Sequence, residues 1–461
     1  GALAGIGSMA DKHSALHFND GDQPPPPPLL VQDGSFDGLG STYNTDGFAI
    51  NASGLRLTEE GKLGALAEEV VEEQVHRDNL SICEELGRGA FAVVKRAQDL
   101  RNGTSYAIKC FNLYEESKRN MLKEEMSILV EMDCRTIVRW FGAFLDEDQR
   151  VNMILEFMDG GSVEDLVKHC RREGVAMPEK ILAAMTFQIL WGLNFLNFVG
   201  FMHRDIKPGN LLLNKVGEMK ITDFGIGRKM KRGEHTGAAP PEEGDPEAAA
   251  QSQHLEQDED LEEYFASTFV GTWVYMSPER LQGERYGANA DVWSLGIILA
   301  EAILGAHPLQ ECSENFADMV VTLQQTPNGT LGSVIPDDVP YSEQMLGFVS
   351  WCLAVDPRLR GGPDELIDDP WFTQQLGGQG SDEAVLDEAV RVVGEWLRTE
   401  LPSYMQPKTS ATAASADADL GASGGDPGFD KNFETLASDD EDEGGQTFDG
   451  NFETLASDDE D

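Results

Sequence analysis

The residues of this chain point to an α+β protein of two lobes, one built on sheet and one on helix. Three features carry that reading. Between about Arg77 and Phe372 the composition is globular, and this stretch holds six of the seven tryptophans and all six cysteines. Its first third reads as strands, at Leu80 to Leu86, Ala92 to Ala97 and Ser105 to Phe111. The remainder turns helical, with apolar residues at helical spacing over Ile181 to Phe198 and Asp291 to Leu304.

The flanks differ from this core. Residues 1–57 are rich in Gly, Asp and Ser, include the proline run Pro24 to Pro28, and read as an unstructured region. The prolines suit a stiff polyproline linker or a ligand for a proline-reading domain. In 58–76, Leu63, Leu66, Ala67, Val70, Val71 and Val75 recur at helical spacing among glutamates. That pattern is an amphipathic helix, either an ordinary edge helix or a regulatory one that docks on the domain after it. Inside the globular region, 231–263 carries eleven acidic residues against two basic and lacks an apolar period over most of its length, so it reads as a loop insertion. A last helix is expected over 381–401. From Pro402 the tail is unstructured by composition and repeats NFETLASDDED at Asn432 to Asp442 and Asn451 to Asp461. The duplicate reads equally as a bivalent short motif for a tail-binding protein or as a neutral duplication.

Charge and cysteine usage narrow the function. Among 461 residues, 82 are acidic and 35 basic, a net charge of −47. Broad binding to nucleic acid needs clustered Lys and Arg, which this balance excludes, and an anionic lipid surface repels it. There is no run of eighteen apolar residues, so no membrane span is expected. The cysteines show no CxxC spacing, which fits a reducing, cytoplasmic compartment rather than a disulfide framework or zinc site. The chain opens on Gly1 rather than Met, which leaves room for residues ahead of it, and no leader of basic then apolar residues is visible.

Five motifs stand in fixed order. Leu86-Gly-Arg-Gly-Ala-Phe-Ala-Val-Val94 places Gly87 and Gly89 where a backbone can come close to phosphate oxygens. Tyr106-Ala-Ile-Lys109 ends a strand in lysine. His203-Arg-Asp-Ile-Lys-Pro-Gly-Asn210, Asp223-Phe-Gly225 and Ser277-Pro-Glu279 follow. Each has a bland reading alone: a turn, a snorkelling lysine, a helix start. In this order chance is a negligible explanation, and the set resembles the protein kinase signatures, hence a bilobal kinase fold.

That resemblance implies ATP and Mg²⁺ as cofactors and assigns roles. Leu86, Gly87, Arg88, Gly89, Ala90, Phe91, Ala92 and Val94 form the loop over the nucleotide phosphates. Lys109 contacts the phosphates and pairs with a glutamate on the helix Ser117 to Met132; Glu125 is chosen by its place in LKEEMSIL, and Glu124, about 100° round the helix, cannot point inward with it. Asp205 accepts the substrate hydroxyl proton, with Lys207 beside it. Asn210 and Asp223 hold the metal ions. Glu279 and Arg360 form a buried pair. Ala92 replaces the third loop glycine and Gly209 an ordinary Ser, Glu or Ala; neither change removes a catalytic atom.

Within the kinases, several segments resemble the MAP kinase kinases, dual-specificity enzymes of the sterile-type group. Ile137 to Phe144 (IVRWFGAF), Leu155 to Val167 (LEFMDGGSVEDLV) and above all Phe269 to Gly287 (FVGTWVYMSPERLQGERYG) carry the likeness, with Gly394-Glu-Trp-Leu397 after the core. It implies Leu155 as the residue gating the adenine pocket, Glu156 to Met158 as the adenine-binding backbone, and Ala107 and Leu212 as further nucleotide contacts. It also implies a MAP kinase substrate phosphorylated on Thr and Tyr, and an upstream MAP kinase kinase kinase that switches this chain on. Thr268, with Ser267 adjacent, matches one phosphosite; the other position is Tyr264, so a single dominant site is expected. The insertion lies beside it and reads as a surface insertion, a phosphate mimic or a docking loop. No basic-then-Leu-x-Leu docking motif is found near the N-terminus, and Ser438 and Ser457 sit in acidic casein-kinase-type contexts. The alternatives are a sterile-20-type Ser/Thr kinase and a pseudokinase-like scaffold.

Overall fold

Alternating β-branched and aromatic residues build the first lobe as a pleated sheet with two unlike faces. In a computed structural model the described residues are 75, 77–89, 92–112, 122, 125–126, 128–129, 132–148, 150–224, 228–229, 273–284, 286–309, 316–326, 329–336, 339–377 and 381–406, with the backbone of short strands between 35 and 57. Those strands are β1 (Ser35–Phe36), β2 (Thr42–Thr45), β3 (Phe48–Asn51) and β4 (Gly54–Leu57). The main sheet of this lobe comprises β5 (Leu80–Arg88), β6 (Ala92–Asp99), β7 (Ser105–Asn112), β8 (Trp140–Leu145) and β9 (Arg150–Glu156), all antiparallel in the order β5-β6-β7-β9-β8.

Register decides which side chains face the second lobe. Lys109 of β7 stands opposite Val94 of β6 and Met153 of β9. With period two, Ala107, Lys109 and Phe111 share one face. Tyr106 and Ile108 take the other, where they pack with Val75, Ala97, Phe144 and Ile154 in a cluster of their own. Between β7 and β8, residues 122, 125, 126, 128 and 129 are helical, and all five are buried.

The second lobe gathers around helices. After β10 (Gly161–Ser162), α1 (Val163–Glu173) starts on a reciprocal cap: Ser162 Oγ accepts from Asp165 N–H, and the Asp165 carboxylate accepts from Ser162 N–H. α2 (Glu179–Phe198) is apolar on every side and buried. By length and composition it is apolar enough to cross a bilayer, though Lys180, Gln188 and Asn194 interrupt its apolar run, and 83% of its most apolar window is buried inside the lobe. Two short pairs follow: β11 (Phe201–Met202) with β14 (Arg228–Lys229), and β12 (Leu211–Leu213) with β13 (Met219–Ile221), β12 also pairing with β10. Then come α3 (Pro278–Leu281), α4 (Asn289–Leu304), α5 (Phe316–Gln324), α6 (Glu343–Cys352), α7 (Pro363–Leu366), α8 (Pro370–Leu376) and α9 (Asp382–Glu400). Phe348, Trp371 and Phe372 pack ring on ring, with centroids 5.0 to 5.3 Å apart, and Phe187 of α2 meets Phe372 edge-on.

α9 buries Leu386, Ala389, Val392, Val393, Trp396 and Leu397, one helical stripe. Two glycines let it sit close. A Cβ at Gly394 would lie 2.1 Å from the Val216 carbonyl oxygen, and one at Gly217 (φ +104°) 2.2 Å from that of Val390.

Two expectations need correction. Residues 1–57 were read as unstructured, yet β1 to β4 form an antiparallel meander beside β8. Gly, Asp and Ser suggest a linker by composition, but the register sets Thr45 opposite Phe48 and Asn51 opposite Gly54, so the short apolar alternation pairs strand to strand. The tail, read as unstructured from Pro402, begins with hydrogen-bonded turns through Gln406. The 58–76 helix apart from Val75, the 231–263 insertion, Ala90, Phe91, Tyr264, Ser267, Thr268 and the duplicated tail motif lie outside the described residues.

Candidate active site

Strand β13 pins one side of the cleft between the lobes. It pairs with β12, and Ile221 also bonds the segment that leads into the first lobe: Ile221 N–H donates to Thr136 O (2.8 Å) and Val138 N–H to Ile221 O (3.0 Å). Lys220 Nζ reaches the Glu156 carboxylate at 2.9 Å, so the same strand grips the end of β9. Two residues on, Asp223 takes φ +68°, a region costly for a non-glycine residue. Its carboxylate thereby meets Lys109.

Lys109 Nζ lies 2.6 and 2.8 Å from the two carboxylate oxygens of Glu125 and 2.9 Å from Asp223 Oδ1. Three donors meet three acceptors, with Glu125 almost fully buried and the Asp223 side chain 44% exposed. Burial pushes the Glu125 carboxyl up, to about 7, with Lys109 pulling the other way. Burial would lower Lys109, but the Asp223 and Glu125 carboxylates outweigh it and hold the ammonium above its ordinary value. At Asp223 burial again opposes ionisation, and the Lys109 charge wins, holding the carboxyl below the usual range.

The opposite wall is the loop from His203 to Asn210. Arg204 also has φ +68°, and Asp291 at the start of α4 stabilises the strained turn: its two carboxylate oxygens accept the His203 and Arg204 backbone N–H groups, each at 2.8 Å. The His203 ring donates from Nε2 to Thr222 O (3.0 Å) and packs 4.9 Å from the Phe224 ring. Asp205 Oδ2 accepts from Asn210 Nδ2 (2.9 Å) and Lys207 Nζ (2.8 Å), whereas Asp205 Oδ1 is buried with no hydrogen-bond partner. Burial raises the Asp205 pKa, with Lys207 opposing and Asp223 adding to the rise. A buried acceptor left open beside a cleft is suited to a ligand proton.

The Gly loop is the β5–β6 hairpin end, with Gly87 opposite Val94 and Arg88 opposite Val93. A Cβ at Gly87 would meet nothing within 4 Å, and one at Gly89 only the Ala92 carbonyl at 3.8 Å. Among the described residues nothing crowds either position, which leaves room for a ligand to back onto the loop. Leu86 is 44% exposed, while Leu155 and Met158 are buried and Ala92, Val94, Ala107 and Leu212 partly so. The Glu156 carboxylate is engaged by Lys220 and Arg139 N–H, and the Glu156 backbone N–H donates to the Arg139 carbonyl at 2.8 Å.

These residues suit a metal-bound nucleotide. Asp223 offers a half-exposed carboxylate, and Asn210 uses its amide nitrogen on Asp205, keeping its amide oxygen out of those bonds. Among the described residues no group of three His, Cys, Asp or Glu forms a metal cage of its own. Two hard oxygen donors that need phosphates to complete the shell are the set Mg²⁺ favours.

Away from the cleft, Arg360 Nη1 and Nη2 donate to the Glu279 oxygens at 2.7 and 3.0 Å. The sequence reading missed Asp291 and Lys220. Asp291 was visible only as one polar residue opening the apolar stretch to Leu304, and its partners lie 87 and 88 positions away.

Comparison with known proteins agrees with this geometry. The protein kinase domain family matches residues 80–372. Mitogen-activated protein kinase kinase SIPKK of Nicotiana tabacum is 30% identical over 353 residues, 76% of this chain and 89% of that protein. Mitogen-activated protein kinase kinase 2 of Arabidopsis thaliana is 30% identical over 341 residues, 72% of this chain and 83% of that protein. Serine/threonine-protein kinase STE20 of Candida glabrata is 31% identical over 290 residues, 63% of this chain but 27% of that protein.

Proposed function

We propose, for a chain that belongs to the protein kinase family and within it to the MAP kinase kinases, that it phosphorylates a MAP kinase on both the Thr and the Tyr of its activation loop. The observation that carries the phosphotransfer is the meeting of Lys109, Glu125 and Asp223 on one side of the cleft with Asp205, Lys207 and Asn210 on the other. ATP with Mg²⁺ supplies the transferable phosphoryl group and neutralises phosphate charge when bound. Lys109, fixed by Glu125, presents its ammonium to the phosphates. Asp223 and Asn210 hold the metal. Asp205 Oδ1 orients the substrate hydroxyl and takes its proton, and Lys207, at 2.8 Å from Oδ2, steadies the charge of that carboxylate.

Support for the MAP kinase kinase role over a sterile-20-type kinase comes from extent. The likeness covers 89% of SIPKK and 49% of mitogen-activated protein kinase kinase 3 of Arabidopsis thaliana, but 27% of STE20. Phosphorylation at Thr268 or Ser267 by an upstream MAP kinase kinase kinase would switch the enzyme on. A cytoplasmic setting suits the five free cysteines among the described residues.

The test is a panel of catalytically dead MAP kinases incubated with the full chain and ATP, with phosphosites mapped by mass spectrometry. Phosphate on both Thr and Tyr of one panel member, absent with Asp205→Asn, supports the reading. Phosphate on Ser or Thr alone would point to the sterile-20-type activity, and no transfer at all to a scaffold. Mapping the activated chain itself and finding Ser267 and Thr268 unmodified would remove the proposed switch.

A further inference from the structure

The chain past α9 turns back onto α1 and the backbone at Gly160. Leu401 is almost fully buried, and its carbonyl accepts from Tyr404 N–H (3.0 Å) and Met405 N–H (3.4 Å), closing one tight turn. This turn lies against α1. The buried His169 ring of α1 packs 5.0 Å from the Tyr404 ring at 60°. His169 Nδ1 lies 2.8 Å from Arg172 Nη2, and a guanidinium only donates, so Nδ1 is the acceptor. His169 Nε2 therefore carries the hydrogen and donates to Ser403 Oγ at 3.2 Å. The imidazole, held from both sides, fixes the orientation of the tyrosine.

The Tyr404 hydroxyl donates to the Gly160 carbonyl at 2.5 Å. Burial keeps this phenol well above its ordinary pKa, so it stays a donor. Gly160 follows the adenine-side segment Glu156 to Met158 by two residues. Its N–H donates to Leu213 O at 2.9 Å, and a Cβ there would lie 2.6 Å from that oxygen. Gly161 and Ser162 pair with Leu213 and Leu212 of β12, the strand that begins directly after Asn210. One phenol thus reaches, through a single backbone group, the turn that follows the adenine-side segment and is hydrogen-bonded to the strand bearing Leu212.

We propose that Tyr404 is a positioning residue for nucleotide binding, its hydroxyl holding the Gly160 turn so that the Glu156 to Met158 backbone and Leu212 meet the base in register. The inference rests on the phosphotransfer reading above and adds to it a residue outside the kinase domain proper. Tyr404 reaches the nucleotide site through Gly160 alone, so its loss weakens nucleotide affinity and leaves the transfer step itself intact.

The test uses the full chain and its Tyr404→Phe variant, which keeps the ring and deletes one donor. Three quantities are read: the Kd of a fluorescent ADP analogue with Mg²⁺, KM and kcat for ATP, and thermal stability. Kd and KM should rise together by about three- to tenfold, the range of one lost hydrogen bond, with kcat at saturating ATP within about twofold. Unchanged Kd and KM, with or without a fall in melting temperature, would reduce the turn to a structural fastener and overturn the inference. A folded wild-type chain that bound no ADP analogue would overturn the phosphotransfer reading and this inference with it.

Discussion

Glu125 holds Lys109 at 2.6 Å beside the cleft, and Glu279 holds Arg360 at 2.7 Å deep in the helical lobe. The two carboxylate–cation pairs are alike in distance and unlike in surroundings. Around Arg360 every direction is taken: Nε donates to Ala354 O, Nη1 also to Asn289 O, the guanidinium lies 5.0 Å over the Trp293 ring, and both side chains are sealed from solvent. Around Lys109 the third donor goes to a carboxylate that is itself half-exposed and carried on strained backbone. A pair closed on all sides fastens two segments 81 residues apart. A pair with one partner facing the cleft is built to exchange that partner for a ligand.

This contrast predicts that damage to each region is felt in a different measurement. The largest effect falls on the reacting carboxylate. Asp205→Asn should lower turnover by about 10²–10⁴-fold while leaving the folded state intact, as read by phosphate transfer beside circular dichroism. A variant that unfolded instead would mean that Asp205 is structural. Next, Glu279→Gln should cost about 3–5 kcal/mol in urea unfolding, because it strands a buried guanidinium. A loss below about 1 kcal/mol would erase the distinction between the two pairs.

Lys109→Met sharpens the comparison. It removes the phosphate contact and also the Lys109 charge that holds the Glu125 carboxyl down to about 7, so in the variant burial keeps Glu125 neutral to still higher pH instead of leaving a stranded charge. An acid whose folded pKa is raised lends stability fully below its unfolded pKa and loses it as pH rises through the folded value. The variant should therefore be most stable near pH 5 and weaken steadily as pH rises toward 7 and beyond, as melting curves across pH would show. A melting temperature flat from pH 5 to 8 would contradict the buried Glu125 environment.

The smallest effect belongs to His307, whose ring packs edge-on to Tyr275, whose Nε2 is buried without a partner, and whose pKa burial lowers to about 4. A base with a depressed folded pKa loses its stabilising contribution as pH falls from about 6.5 toward 4. His307→Phe should flatten that part of the stability profile, and an unchanged slope would place the acid sensitivity elsewhere.

What the sequence made legible, and what it hid, follows a physical line. The strand and helix segments and the order of five motifs were readable because each is local: a period, a glycine pair, a contiguous octet. Glu125 was chosen over Glu124 by its place in the segment LKEEMSIL, the 100° step of a helix allowing only one of the two inward, and the structure turns Glu125 onto Lys109. Asp291 was hidden because its importance lies in a strained turn 88 positions away that no local pattern reveals. Strands β2 to β4 were hidden for the opposite reason, since the Gly, Asp, Ser and Asn of this stretch outweighed its short apolar alternation. The contact from Tyr404 to Gly160 spans 244 positions and had no sequence signal at all.

Calorimetric titration of a non-hydrolysable ATP analogue, with and without Mg²⁺, into the wild-type chain and Asp223→Asn tests the central claim most directly. One nucleotide should bind per wild-type chain, tightened by the metal, and the metal should lose its effect when Asp223 becomes Asn. A folded wild-type chain that took up no nucleotide, or an Asp223→Asn variant that kept the full metal effect, would contradict the reading of this cleft as a phosphotransfer site.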